Sequence, residues 1–204
     1  MSLIRWLIKH TLSAPLAFEI QQKLCNNYSG VTKEFSGIID KSPIRILDIG
    51  CSTGTCAGNI IDMTANEYVG VDISEEYIRI AQQRYKDGSF RALDARQLPF
   101  EAGSFDVAMF IGVLHHMDDQ LARDCLLSVS RVIKSSGKVI VAEPVFTQGK
   151  HLSNLLLSWD RGEFIRDDAG YKSLFGSYIV ERHRYFRFSA HRFSSYVLAP
   201  KTAL

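Results

Sequence analysis

Long apolar runs are missing from this chain of 204 residues, and with them goes the simplest membrane architecture. The best stretches, residues 105–114 and 139–146, carry Asp106 and Glu143, whereas a span needs roughly 18 uncharged apolar residues in a row. Charge of one sign is missing too. Twenty-four Lys and Arg against 22 Asp and Glu leave a net of +2, so no whole-molecule field recruits nucleic acid. The four cysteines, Cys25, Cys51, Cys56 and Cys125, form no C-x-x-C pair, and they read as reduced thiols of a cytoplasmic protein. The first ten residues are broken by Arg5, Lys9 and His10 and lack the h-region and cleavage site of a secretory leader. Repeats, low-complexity tracts and Pro/Gly/Ser-rich linkers are absent, so nothing in composition divides the chain. What remains is ordinary for a soluble globular protein, 46% hydrophobic and 23% charged, with one core as the working expectation.

Organisation follows from changes in hydrophobic period. Residues 1–43 read as a helical lead-in: Leu3, Ile4, Leu7 and Ile8 share a face, and Leu16, Ala17, Ile20 and Leu24 signal a second helix ending near residues 26–30. Residues 44–146 alternate strands (44–49, 68–71, 90–93, 105–111 and 138–142) with helical periods. Ser74 suits an N-cap, with Glu75 and Glu76 at the positive end of the dipole and Tyr77, Ala81 and Tyr85 four apart. A further helix carries Leu121, Cys125, Val129, Val132 and Ile133 and is expected to stop at Gly137. Residues 147–204 complete the same domain with a helix near 151–159 and two strands, 178–188 and 193–199, close enough to pair antiparallel. Alternating strand and helix implies a doubly wound, Rossmann-like α/β sheet in the order 3-2-1-4-5, with the antiparallel hairpin on one edge. The segment 94–105 leaves little room for a crossover helix, yet twelve extended residues reach about 40 Å, ample for the roughly 15 Å of three strand spacings.

The sharpest motif is Ile46-Leu47-Asp48-Ile49-Gly50-Cys51-Ser52-Thr53-Gly54, a strand running into a loop with glycines four apart and then a helix. Such a turn offers backbone N–H groups to a ligand that comes close. Twenty-two residues after Gly50, a second strand ends in Asp72, where an acceptor for ribose hydroxyls belongs. Together they describe a nucleoside-cofactor site. Ser52 and Thr55 stand where a dinucleotide fingerprint needs glycines, which disfavours NAD, and Gly54-Thr55-Cys56 lacks the P-loop lysine. A third competitor stays open: Gly50-Cys51-Ser52-Thr53-Gly54 fits G-x-S-x-G, the nucleophile elbow, with Asp94 or Asp106 and His115 in the matching chain order for a serine hydrolase.

Residues 44–146 resemble the class I S-adenosylmethionine-dependent methyltransferases, because several motifs occur in order. The loop through Asp48, Gly50 and Gly54 is similar to that family's first motif, with Ser52 where many members have glycine. Val71-Asp72-Ile73-Ser74 matches the second-strand motif, Leu93-Asp94-Ala95 with Leu98-Pro99-Phe100 the adenine segment, and residues 105–116 the fourth strand and its exit. Arg131-Val132-Ile133-Lys134 and Gly137-Lys138-Val139 match the approach to the fifth strand. The resemblance implies S-adenosylmethionine as cofactor, held by Asp48 and the loop Gly50, Cys51, Ser52 and Gly54 along its methionine. It implies Asp72 on the ribose, Ile73 against adenine, Asp94 and the Ala95 amide on the adenine edge, and the Ile111 carbonyl on the ammonium.

The implied activity is in-line methyl transfer to an acceptor, with a small molecule favoured. An already activated methyl group asks chiefly for alignment and exclusion of water. A base is required only if the acceptor must lose a proton, and His115, His116 and Glu143 are the candidates, each near the carboxyl end of a strand. A metal site from His115, His116, Asp118 and Asp119 is not expected, because adjacent histidines at a strand exit point apart. Trp6, Tyr28, Phe35, Trp159 and Tyr171 are candidate walls of an acceptor pocket, though aromatics at helical spacing are by default core. Residues 178–204 hold a local net of +4 among Tyr185, Phe186, Phe188, Phe193 and Tyr196. That segment permits an alternative, a module that grips RNA or a lipid surface.

Overall fold

The computed structural model describes residues 28–146, 163–188 and 191–201. Seven strands form one mixed sheet in the order β3-β2-β1-β4-β5-β7-β6. Strands β1 (Arg45–Ile49), β2 (Glu67–Asp72), β3 (Ser89–Ala92), β4 (Phe105–Ile111) and β5 (Ile133–Pro144) run parallel. β6 (Tyr178–Phe188) and β7 (His191–Pro200) pair antiparallel, and β7 lies antiparallel on β5. The doubly wound order and the edge hairpin are as the sequence implies. β1 is buried on both faces from Ile46 to Ile49, as a central parallel strand must be when helices cover the sheet twice.

Five helices accompany the strands among the described residues: α1 (Ser29–Ile39), α2 (Thr55–Ile60), α3 (Glu75–Arg84), α4 (Asp119–Val132) and α5 (Asp168–Leu174), with a 3₁₀ turn at Leu114–His116. α3 starts as expected, with Ser74 Oγ accepting from the Tyr77 amide at 3.3 Å and Glu75 and Glu76 in the first turn. Asp118 caps α4 by accepting from the Leu121 amide at 2.9 Å. No helix of the described residues is long and apolar enough to cross a membrane. Cys51, Cys56 and Cys125 are free thiols.

Two expectations need correction. α4 ends at Val132, not at Gly137. Gly137 lies where β5 joins β4 out of register, because Phe105 pairs with Ile133 while Val107 pairs with Lys138. A Cβ there would fall 2.8 Å from Ile133 Cγ1 and 2.9 Å from the Asp106 carbonyl oxygen, so this glycine serves a close backbone approach instead of a helix stop. The second correction is α1, a helix absent from the sequence reading. Val31, Phe35 and Ile39 recur every four residues and are buried at 0–3% exposure. The helix read over residues 16–24 lies outside the described residues, as do Trp6, Cys25 and the helix near 151–159.

The core is two clusters, one on each face of the sheet. α4 and α5 cover one, with Leu47, Val71, Phe110, Val141 and Tyr196; α1, α2 and α3 cover the other, with Ile46, Tyr68, Met109 and Ile140. Tyr28 and Phe35 pack near Phe188 and Phe186, and Tyr171 near Tyr196. All three are buried core.

Candidate functional site

Every parallel strand delivers its carboxyl end to one edge of the sheet, and the motif residues collect there. Gly50 and Cys51 donate their amides to the Val71 carbonyl at 2.8 and 3.0 Å, so the loop after β1 bends sharply over the end of β2. The bend needs left-handed backbone at Gly50 (φ 71°), Ser52 (φ 51°) and Gly54 (φ 75°), costly for any residue but glycine. Gly54 then leads into α2. The Ser52 hydroxyl is buried without a hydrogen-bond partner among the described residues. Buried polar atoms are almost always paired, and this orphan is one of two such side-chain atoms among the described residues, the Ser104 hydroxyl being the other. The lack of a partner leaves Ser52 without a histidine to activate it, and nothing in the geometry supports a serine nucleophile.

Asp72, at the end of β2, faces that loop. Its Oδ2 accepts from the Ser52 amide at 3.0 Å and its Oδ1 from the Ser74 amide at 2.9 Å. Burial pushes this carboxyl above its ordinary pKa, and the amides of Ser74, Ser52 and Ile73 oppose the rise. These bonds leave the carboxylate with acceptor capacity to spare, which suits acceptance from a vicinal diol. Beside it Ile73 is 78% exposed, an apolar platform at the mouth of the loop. The Leu93 amide donates to the Asp72 carbonyl at 3.0 Å, bringing the adenine segment alongside. Asp94 itself is gripped by Arg96, Nε at 2.9 Å and Nη2 at 2.5 Å, and these bonds hold its carboxyl below the usual range. Ala95 packs against the core from the rim.

Asp48 lies beneath the loop, 4% exposed, and accepts from the Tyr68 phenol at 2.7 Å. Burial pushes its carboxyl up to about 7; the Tyr68 bond lowers it and the Asp72 charge raises it further. Burial likewise drives the Cys51 and Cys56 thiols well up, which removes both as nucleophiles.

Ile111 ends β4, and the next residue, Gly112, donates to the Ala142 carbonyl at 2.8 Å. In the 3₁₀ turn that follows, His115 is 3% exposed whereas His116 is exposed, with ring centroids 4.1 Å apart. Glu143, fully buried on β5, accepts at one oxygen from the amides of Val113 (2.9 Å) and Leu114 (2.7 Å) and at the other from His115 Nδ1 (2.7 Å). The described residues contain no cluster of three or more potential metal ligands.

Two charged residues, Arg166 and Asp168, take roles that the sequence does not assign. Arg166 donates to the carbonyls of Leu114 (2.9 Å), Met117 (2.7 Å) and Phe164 (2.9 Å) and pairs with Asp119. Asp168, at the start of α5, accepts from Ser194 Oγ (2.6 Å), Tyr196 OH (2.9 Å) and Tyr185 OH, with His183 Nε2 at 3.3 Å. Apart from Phe164, their partners lie 15 to 52 residues away in sequence, so no local pattern announces them. The basic aromatic segment lends no support to a nucleic-acid grip. Arg182 is bound to the Glu34 carboxylate and carbonyl, and Arg192 stacks on Tyr185 at 3.6 Å. A groove of about 460 Å³ opens at the opposite, amino end of the strands, by Ile44, Asp106, Val107 and Lys138; it contains none of the residues of the glycine loop, Asp72, Asp94 or the turn after β4.

Comparison with known proteins agrees with this fold. Residues 46–137 match the family described as "Methyltransferase domain". An O-methyltransferase of Aspergillus nomiae is 34% identical over 105 residues, covering 48% of this chain and 46% of that protein. The demethylmenaquinone methyltransferase of Thermotoga maritima is 32% identical over 128 residues, covering 60% and 55%. The chain thus spans about half the length of the curated relatives it matches. Among solved structures, the PH0226 protein of Pyrococcus horikoshii shares the fold at a TM-score of 0.69 with 23% identity, covering 91% of this chain and 92% of that one. Residues 46–137 thus form a methyltransferase domain of the class I S-adenosylmethionine-dependent type.

Proposed function

We propose that this protein transfers the methyl group of S-adenosylmethionine to a small-molecule acceptor. The observation that carries the reading is the pairing of Asp72 with the glycine loop: a half-buried carboxylate, positioned by the Ser52 and Ser74 amides, beside the exposed Ile73 and the unpartnered Ser52 hydroxyl. That donor and acceptor set suits a nucleoside sugar next to an apolar base. When bound, the cofactor supplies a methyl group on a positively charged sulfur, already activated for transfer. The chain's own residues bind and orient. Asp72 accepts from the ribose hydroxyls, Ile73 packs on adenine, and Asp94 with the Ala95 amide reads the adenine edge. The loop from Gly50 to Gly54, with Asp48 beneath it, lies along the methionine, and the Ile111 carbonyl takes the ammonium. Alignment of the acceptor and exclusion of water account for most of the catalysis such a site must provide.

Where the acceptor carries a proton that must leave, His116 is the histidine an acceptor reaches directly, since it is exposed and His115 is not. The small-molecule reading draws support from the relatives, one an O-methyltransferase and one acting on demethylmenaquinone. Isothermal titration of the full chain with S-adenosylmethionine and S-adenosylhomocysteine tests the cofactor, and labelled-methyl incorporation into a metabolite extract tests the acceptor. Micromolar binding that Asp72→Ala weakens by at least about tenfold, some 1.4 kcal/mol, is the expected result. Absence of affinity for both compounds overturns the reading.

A further inference from the structure

We infer that Glu143 is a positioning residue for methyl transfer: its carboxylate holds the turn after β4 against the glycine loop. This inference rests on the proposed function above.

A general base must offer a lone pair to the substrate. Glu143 has none to offer. Its exposure is 0%, and four N–H groups converge on its two oxygens: Val113 (2.9 Å) and Leu114 (2.7 Å) on Oε1, His115 Nδ1 (2.7 Å) and the His115 amide (3.3 Å) on Oε2. Four donors fill the acceptor capacity of a carboxylate in a dry site. All four belong to the turn that follows Ile111. The same turn is held from behind by the opposite charge. Arg166 takes the carbonyls of Leu114 and Met117, and the Phe164 amide donates to the His115 carbonyl at 2.9 Å. An anion gathers the turn's donors and a cation gathers its acceptors.

What the turn presents to the cofactor loop is Val113. A Cβ placed on Gly50 would fall 2.5 Å from Val113 Cγ2, so the valine occupies the space that the glycine leaves open. Glu143 fixes the Val113 backbone, and Val113 fixes the distance between the two loops along which the methionine must lie. A site held by a supporting carboxylate of this kind is preorganised before ligand arrives.

The test uses full-length variants and S-adenosylhomocysteine. Glu143→Gln can keep its oxygen on the Val113 and Leu114 amides while its NH₂ group faces His115. Its expected signature is loss of the proton from His115 Nδ1, read by ¹⁵N NMR of the imidazole, with cofactor affinity within about twofold of wild type. Glu143→Ala and Val113→Ala are each expected to weaken S-adenosylhomocysteine by about tenfold, and the double variant to be no weaker than the worse single one, because both act through one contact. Additive losses overturn the inference, as does a folded Glu143→Ala that binds like wild type. Should Glu143→Ala fail to fold, an unchanged Nδ1 proton in Glu143→Gln overturns it equally. Failure of the wild-type chain to bind overturns the methyltransferase reading, and the inference with it; wild-type binding with unmoved variants overturns the inference alone.

Discussion

Gly50 combines a left-handed backbone with a neighbour that leaves no room for a side chain. Alanine there incurs about 1–2 kcal/mol for the backbone region alone, before Val113 is displaced. Gly50→Ala is therefore expected to lower cofactor affinity by more than tenfold, roughly 1.4 kcal/mol, in a chain that circular dichroism still reports as folded. Asp48 makes a prediction of opposite character, about pH. Its folded pKa, about 7, lies above the ordinary 3.8 of a free aspartate, so between those limits the native state binds more protons than the unfolded one. Stability contributed by the protonated acid is present at low pH and is lost as pH rises through about 7. Asp48→Asn keeps an acceptor for Tyr68 and cannot ionise. From pH 4 to pH 8 wild type should lose on the order of 3–4 kcal/mol relative to the variant, measured by urea unfolding of both proteins at each pH. Asp72 is shifted in the same direction but is present in both proteins and largely cancels. A flat difference across that range would show that Asp48 is charged in the folded state throughout.

At the scale of elements, Asp168 ties α5 to the edge hairpin. Burial raises its carboxyl pKa, but the bonds from Ser194, Tyr185 and Tyr196 outweigh that and hold it below the usual range. Across the sheet, Glu143 on β5, Ser194 on β7 and Tyr185 on β6 stand in one row, and Asp168 closes the end of it. Asp168→Ala removes the carboxylate that the Ser194 hydroxyl and the Tyr196 and Tyr185 phenols share, and leaves Ser194 and Tyr196 with only each other and His183 as partners. The expected loss is about 2 kcal/mol, or a fall of roughly 4–8 °C in melting temperature for a chain of this size. Cofactor affinity should stay within about twofold of wild type, since none of these groups bonds to the glycine loop.

The same scale separates what could be read from sequence and what could not. β4 and β6 run over the residues their β-branched and aromatic runs indicate, and the α3 cap at Ser74 is a local pattern that local chemistry enforces. α1 is hard to read because Gly30 stands where a helix would end and Gly37, on the exposed side opposite Val31, Phe35 and Ile39, lowers helix propensity; tertiary burial overrides both glycines. Asp72 and the glycine loop were legible through their spacing. The bonds from Arg166 to the 3₁₀ turn and from Asp168 to the hairpin were not, because each spans a separation that only the folded sheet closes.

For the whole molecule, the sheet's polarity decides where binding is felt. Five parallel strands end at one edge, and the loops after β1, β2 and β4 meet there, so a ligand seated on them bridges segments distant in the chain. A ligand that binds only the folded state stabilises it by RT ln(1 + [L]/Kd), about 2.7 kcal/mol at one hundred times Kd. With roughly 2–4 °C per kcal/mol for a protein of this length, saturating S-adenosylhomocysteine should raise the melting temperature by about 5–11 °C. The shift should climb with the logarithm of concentration and fall by about half or more in Asp72→Ala, whose own melting point without ligand gives the baseline. Adenosine should reproduce part of it, through Asp72 and Ile73, and homocysteine alone very little. A larger shift from homocysteine than from adenosine would place the dominant contacts along the glycine loop instead of at the ribose, and would move the weight of cofactor recognition from β2 to β1.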